Sequence, residues 1–250
     1  MGNKVSGCAH GQTLSGILIA KSVKLCETTK TSKKNVSEQQ PLKRRRGRPP
    51  KIEREYSDTK KVLIRSGLEM ITEFGFTASG VDAVVKKVQV PKGSFYHYFK
   101  NKEEFGSQVL AAYGTYFAHK LDKHLTRPDI APLDRIGLFV NDAKEGIERF
   151  EFRRGCLVGN MMQEVPQLSD ALAVQLQEII LDWQERVERC FALAREQNQL
   201  HSRETDEHLA ALFWSGWEGA VMRAKLFRSN QPLDDFWHYF RWSVSQGEQR

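Results

Sequence analysis

Between Gly80 and Glu103 the chain compresses two short amphipathic segments around a tight turn, and this constrains the fold more than any other feature. Val81, Val84, Val85 and Val88 recur at i, i+3, i+4 and i+7, so Gly80–Val88 reads as a short helix with one apolar stripe turned to a core. Gln89 and Val90 make the turn. Pro91 then opens a second segment at a first-turn position, where its missing N–H costs nothing. That segment, Lys92-Gly93-Ser94-Phe95-Tyr96-His97-Tyr98-Phe99, is mostly too small or too polar to be core. Two short helices joined this closely have the form of a helix-turn-helix, whose second helix enters the major groove of DNA. The bland alternative is an ordinary polar turn between packed helices.

Flanking segments carry matching punctuation. From Ser57 or Asp58, either of which can cap, a helix is expected with Ile64, Leu68, Ile71 and Phe74 on one face and a stop at Gly75. Asn101 is read as the cap of the next helix, with Glu104 as its reciprocal partner, and Phe105, Val109, Ala112, Tyr113 and Tyr116 as its apolar face. Beyond Pro128 every long segment has helical period and none alternates like a strand, so the fold class is all-α. Expected helices follow the stripe Leu133 to Phe150, the segment Val158–Val165 ended by Pro166, and the long stripe Leu172 to Ala194 capped by Ser169. Another follows Leu209, Phe213, Trp217, Ala220 and Ala224, and the last lies near Asp234–Val244. The long apolar helices near the C-terminus serve either the protomer core or a four-helix bundle shared by two subunits.

Charge is lopsided. Residues 1–61 hold ten Lys and five Arg against four Glu and one Asp, while the whole 250-residue chain carries +7, so the remainder is mildly acidic. Residues 1 to about 52 lack sustained apolar periodicity and are expected to be a disordered basic arm. Within it Arg46-Gly47-Arg48-Pro49 resembles an AT-hook, an extended segment that lies in a narrow A·T minor groove where negative potential concentrates. Arg46 and Arg48 are its candidate contacts; a merely solubilising tail is the alternative.

No segment approaches the roughly 18 consecutive apolar residues of a membrane span, and the Leu14–Ala20 patch lacks a small-residue cleavage site. The reading is a cytoplasmic protein without signal peptide or anchor. Cys8, Cys26, Cys156 and Cys190 show no C-x-x-C spacing, which argues against zinc and, in a reducing compartment, against structural disulfides. The seven histidines fall in no catalytic pattern and there is no phosphate loop, so an enzyme is disfavoured and no cofactor is implied. A rival of another class is an architectural DNA binder acting through the arm alone. Deleting residues 1–52 separates the two, since a specific regulator keeps its footprint.

Gly75-Phe76, Val81–Val88 and Val90–Phe99 followed by Asn101-Lys102-Glu103 resemble the DNA-binding domain of the TetR family of bacterial one-component repressors, ungapped from about Ser57 to Phe117. The resemblance implies a DNA-binding domain over 53–117, its helix-turn-helix at about 80–99, and a ligand-binding and dimerisation domain over 118–250. It places Lys92, Ser94 and Tyr96 on the exposed face of the recognition helix, Tyr98 after it and Lys102 at the start of the next. Gly93 then lets the backbone approach the groove, Ser94 bonds a base edge or phosphate, and the tyrosines and Lys102 grip phosphates. Lys92 is a base or phosphate contact, His97 a contact or a solvated residue, and Phe95 and Phe99 face inward.

Phe152-Arg153-Arg154-Gly155-Cys156-Leu157-Val158-Gly159-Asn160 and Phe213-Trp214-Ser215-Gly216-Trp217 through Arg223-Ala224-Lys225 resemble the acrylate-responsive subgroup of the family. Cys156 and Lys225 also occupy the positions that a neighbouring subgroup, similar to the repressor of N-ethylmaleimide reductase, uses to sense electrophiles or reactive chlorine. Two sensing mechanisms follow. In one, Arg153, Arg154, Arg223 or Lys225 binds the carboxylate of a small acid while Trp214, Trp217 and Met161 or Met162 supply apolar walls. In the other, cations near Cys156 favour its thiolate, and modification releases the protein from DNA. Cys156 as a buried small residue is the remaining alternative. The implied partners are operator DNA, a small acid or electrophile, and a second copy of the chain.

Overall fold

The computed structural model describes residues 56–246, so the basic arm, with Arg46, Arg48 and the Leu14–Ala20 patch, lies outside the described residues. Within them every regular element is helical: α1 Tyr56–Phe74, α2 Val81–Lys87, α3 Lys92–Tyr98, α4 Lys102–Leu125, α5 Pro132–Arg149, α6 Leu157–Met162, α7 Asp170–Glu196, α8 Asp206–Phe227 and α9 Gln231–Ser245. A single 3-10 turn, Val165–Gln167, separates α6 from α7.

Helix α1 begins at Tyr56, so Ser57 and Asp58 fall inside its first turn rather than capping it. It stops at Gly75, whose φ of 86° lies in the left-handed region that a Cβ disfavours, and a Cβ there would collide with the Glu164 carboxylate. The Gly75 N–H still donates to Ile71 O at 3.0 Å. The chain reverses between α2 and α3 at Gln89, φ 55°, where the Val90 N–H reaches back to Val85 O at 3.0 Å. Ser66 Oγ donates to Val84 O across the α1–α2 contact, 3.2 Å. The first three helices close on Phe95 and Phe99, both fully buried, which pack with Phe105 of α4 at ring separations of 5.0–5.1 Å.

Asn101 Oδ1 accepts from the Glu104 N–H at 2.8 Å, as the cap requires, but the Glu104 carboxylate reaches Lys100 N at 2.7 Å, one residue before the position of a reciprocal box. Ser169 caps α7 by accepting from Leu172 N. The short helix ends at Met162 rather than Val165, because the backbone tightens into the 3-10 turn that contains Pro166. Helix α9 starts three residues earlier than its apolar pattern suggests, with Pro232 in its first turn. Tyr116 is 60% exposed and Phe150, at the C-cap of α5, is 43% exposed, so neither belongs to the buried face assigned to it from sequence.

Helix α4 runs from the reading head into the body, touching α1, α5, α6 and α7. The body's centre is aromatic: Phe117 and Trp183 meet at a tilt with ring centres 4.3 Å apart, Trp183 and Trp214 lie 5.3 Å apart, and Phe139 meets Trp217 at 5.5 Å. Leu209, Phe213, Trp217, Ala220 and Ala224 of α8 are all buried within one protomer, so of the two readings of that stripe the core one holds. The exposed apolar residues of α8 and α9 are others, among them Leu212, Leu226, Phe227, Tyr239 and Trp242. Among the described residues no helix is long and apolar enough to cross a membrane.

Candidate nucleic-acid interface and effector cavity

Helix α3 divides cleanly by face. Phe95 points into the head while Tyr96, one residue on, is 52% exposed with its ring edge-on to Phe95 at 5.3 Å. Nothing surrounds the position a Cβ would take at Gly93, so that turn of backbone is open to close approach. Ser94 is half-buried and its N–H closes on Pro91 O, 2.9 Å. His97 is exposed and packs edge-on against half-buried Tyr98 at 5.4 Å. Lys92 Nζ pairs with both carboxylate oxygens of Asp82, at 2.9 and 3.1 Å, and this hydrogen bond raises its pKa. Lys102 is differently held: its Nζ donates to Thr77 O at 2.9 Å and sits 4.6 Å from the Phe76 ring centre, and burial lowers its pKa. In this position it braces the α1–α2 turn, and reaching a phosphate requires it to let go.

Behind the head is a cavity of about 600 Å3. Five elements wall it: α1 through Arg65, Leu68, Glu69 and Thr72; α4 through Tyr113, Tyr116, Phe117 and Lys120; α5 through Ala143, Gly146 and Ile147; the Phe150–Cys156 loop; and α8 through Trp217 and Val221. Of the effector residues expected from sequence, Arg154, Cys156 and Trp217 line it. The others are placed elsewhere. Arg153 is largely exposed and forks onto Glu73. Arg223 is exposed over the Phe227 ring. Trp214 and Met161 are core residues, and Met162 packs half-buried against that core. Lys225 stands behind the wall, its stem against Gly155 and its Nζ 3.4 Å from Asn160 Oδ1.

Cations do reach the cavity. Arg154 lies 4.3 Å over the Phe150 ring and within 3.5 Å of Glu69. Lys120, missed from sequence, pairs with Asp142 at 3.2 Å, and Asp142 also meets His124 at 3.1 Å. Burial works to raise the Asp142 pKa, but His124 and Lys120 outweigh it and hold the carboxylate ionised. Lys120 lies at i+7 from Tyr113 and i+3 from Phe117, so helical spacing alone sets it on the same face.

The surroundings of Cys156 overturn one expectation. Lys225 interacts electrostatically with it, yet burial pushes its pKa well up and the Glu218 carboxyl beside it pushes the same way, so it stays a thiol. Gly159 N donates to its Sγ at 3.4 Å, and the Tyr113 hydroxyl also hydrogen-bonds it. Glu218 is itself only 8% exposed, and burial raises its pKa to about 7. Its neighbours at i−4, i−1 and i+3 are Trp214, Trp217 and Val221, so a charge set inside an apolar stripe was the available signal.

The segment from Gly155 to Glu164 also grips the reading head. Gly155 N donates to Thr72 O, and Asn160 Nδ2 to Ile71 O and Thr72 O at 2.9 Å each, which gives partners to two of the last four carbonyls of α1. A helix-turn-helix head whose first helix both walls a cavity and hangs from the segment after Cys156 is the build of a DNA-binding transcriptional regulator. Residues 63–107 match the family described as bacterial regulatory proteins, tetR family, and residues 132–240 the tetracyclin repressor-like C-terminal domain. The transcriptional regulator AcuR of Cereibacter sphaeroides is 45% identical over 200 residues, 80% of this chain and 91% of that protein. The HTH-type transcriptional repressor NemR of Escherichia coli is 28% identical, over 71% of this chain and 89% of NemR. A crystal structure of a TetR regulatory protein from Rhodobacter sphaeroides superposes with a TM-score of 0.71 at 45% identity, over 73% of this chain and 96% of that one. This chain belongs to the TetR family, whose regulators are DNA-binding dimers.

Proposed function

We propose that the chain is a repressor that holds its operator as a homodimer and lets go when a small carboxylic acid of the acrylate type fills the cavity. The observation that carries this reading is the shared wall: Arg65, Leu68, Glu69 and Thr72 belong both to the cavity and to the first helix of the head. A ligand there presses on the element that positions α3. Arg154 and Lys120 are the cations that meet its carboxylate, and Tyr113, Phe117 and Trp217 supply the apolar surface. On the DNA side, Lys92 and Ser94 contact a base edge or phosphate, Gly93 admits the backbone, and Tyr96, Tyr98, Lys102 and His97 fix the register on the strands. The domain limits of this reading are 53–117 and 118–250, with α1 and the first part of α4 lending cavity wall across that boundary.

Gel shift on the DNA next to its own gene tests the reading. Acrylate releases the wild type, and Arg154→Ala or Lys120→Ala needs roughly tenfold more, because a charge-assisted hydrogen bond contributes about 1.5–3 kcal/mol. No release of the wild type at any acrylate concentration overturns the acid reading. A second reading has one observation in its favour: Cys156 lines the same cavity, so an electrophile entering it meets a thiol.

A further inference from the structure

Cys156 poses a chemical problem for that second reading. Thiolates, not thiols, attack electrophiles, and burial at 8% exposure keeps this group a thiol, its pKa pushed well up even with Lys225 interacting electrostatically with it. What stands beside it is a carboxyl group with unused capacity. Glu218 Oε1 is buried with no hydrogen-bond partner, while Oε2 is folded so closely over the Cys156–Gly159 turn that a Cβ at Gly159 would collide with it. A hydrogen bond joins Glu218 to the thiol. An unpartnered buried carboxyl oxygen is a costly arrangement for a merely structural residue.

We propose that Glu218 is the proton acceptor and return donor for addition of the Cys156 thiol to an α,β-unsaturated carbonyl compound bound in the cavity. The inference rests on the electrophile reading. The Glu218 carboxylate takes the thiol proton as the sulfur lone pair forms a C–S bond at the β-carbon. The alkene π pair moves onto the α-carbon and carbonyl as an enolate. The neutral Glu218 carboxyl then delivers the same proton to the α-carbon, which yields a thioether and restores the carboxylate. No outside oxidant or reductant is consumed. While negative charge passes through sulfur, the Gly159 N–H at 3.4 Å and the Tyr113 hydroxyl are already placed to hold it. Glu218 with a pKa raised to about 7 exchanges a proton in either direction near neutral pH.

The test is the rate at which full-length protein gains methyl vinyl ketone at Cys156, followed by peptide mapping mass spectrometry. Electrostatics alone and proton transfer predict opposite signs. If the carboxylate only repels the forming thiolate, Glu218→Gln speeds the addition; if it takes the proton, Glu218→Gln slows it at least tenfold and flattens its rise with pH near 7. A rate in Glu218→Gln equal to or above wild type overturns the proposal. Glu218→Ala supplies a second measurement, in which formate entering the vacated space restores the rate several-fold; no restoration counts against the proposal. Adduct at Cys190, 2% exposed in the folded chain, reports loss of fold in any variant. Absence of any adduct at Cys156 in the wild type overturns both this inference and the electrophile reading. The acid reading stands or falls separately, on acrylate release of Cys156→Ser.

Discussion

Glu164 Oε2 accepts two hydrogen bonds from Thr77, 2.7 Å from the backbone nitrogen and 2.8 Å from the hydroxyl, and so ties the segment after α6 to the loop that leads into α2. Eighty-seven residues separate the partners in sequence. The bonds are exposed, so they contribute little to global stability, yet they join the cavity side of the protein to the head. Glu164→Ala should therefore keep operator affinity within about threefold while raising the acrylate needed for release, since coupling between two sites is a free energy carried by contacts such as these. Titrating acrylate against the operator complex checks it, and an unshifted midpoint removes Glu164 from the coupling path.

The two faces of α3 predict a separation of effects. Phe95→Ala should cost about 3–5 kcal/mol of stability, because a fully buried ring is lost among Phe99 and Phe105. Tyr96→Ala removes a half-exposed ring and should cost no more than about 1 kcal/mol, yet abolish or strongly weaken operator binding. Lys102→Ala should lower the salt slope of binding by about one unit if its ammonium leaves Thr77 O for a phosphate. Thermal unfolding and salt-dependent gel shifts read the two outcomes independently.

Much of the head was legible because its signals are local. The valine stripe, the stop at Gly75, the Asn101 cap and the inward Phe95 and Phe99 each depend on residues within one or two turns of each other. The cavity was not, because tertiary packing assembles it. Arg154 and Arg153 are adjacent in sequence, but only Arg154 turns to the cavity while Arg153 pairs with Glu73 on α1. Lys120 and Glu218 gain their roles from α4 and α8 packing on other elements, and a motif centred on Cys156 and Lys225 drew attention to Arg153 and Arg223, which the fold places elsewhere. The apolar stripe of α8 carried the same ambiguity, since a buried face reads alike whether a protomer or a partner covers it.

The basic arm gives a prediction that needs no knowledge of its conformation. Arg46→Ala with Arg48→Ala should weaken binding most on operators flanked by A·T-rich sequence, because a narrow minor groove concentrates negative potential. Equal losses on G·C-flanked DNA would reduce the arm to a general phosphate binder. Fluorescence anisotropy with paired duplexes differing only in their flanks makes the comparison.

Glu218 sets the direction of the protein's response to pH. Its pKa rises from an ordinary 4.5 to about 7 on folding, so between those values the folded chain holds a proton that the unfolded chain has lost. Stability must then fall as pH rises through that window, and the loss is complete above about 7. A shift of this size corresponds to roughly 3 kcal/mol at about 1.4 kcal/mol per unit. Glu218→Gln carries no titrating proton, so it should flatten the slope and melt higher than wild type at pH 8, with little difference at pH 5. Melting curves of both proteins across that range decide the point: a wild type as stable at pH 8 as at pH 5, or a Gln variant no more stable at pH 8, would mean that the carboxylate is solvated and that its buried, unpartnered oxygen has found a donor.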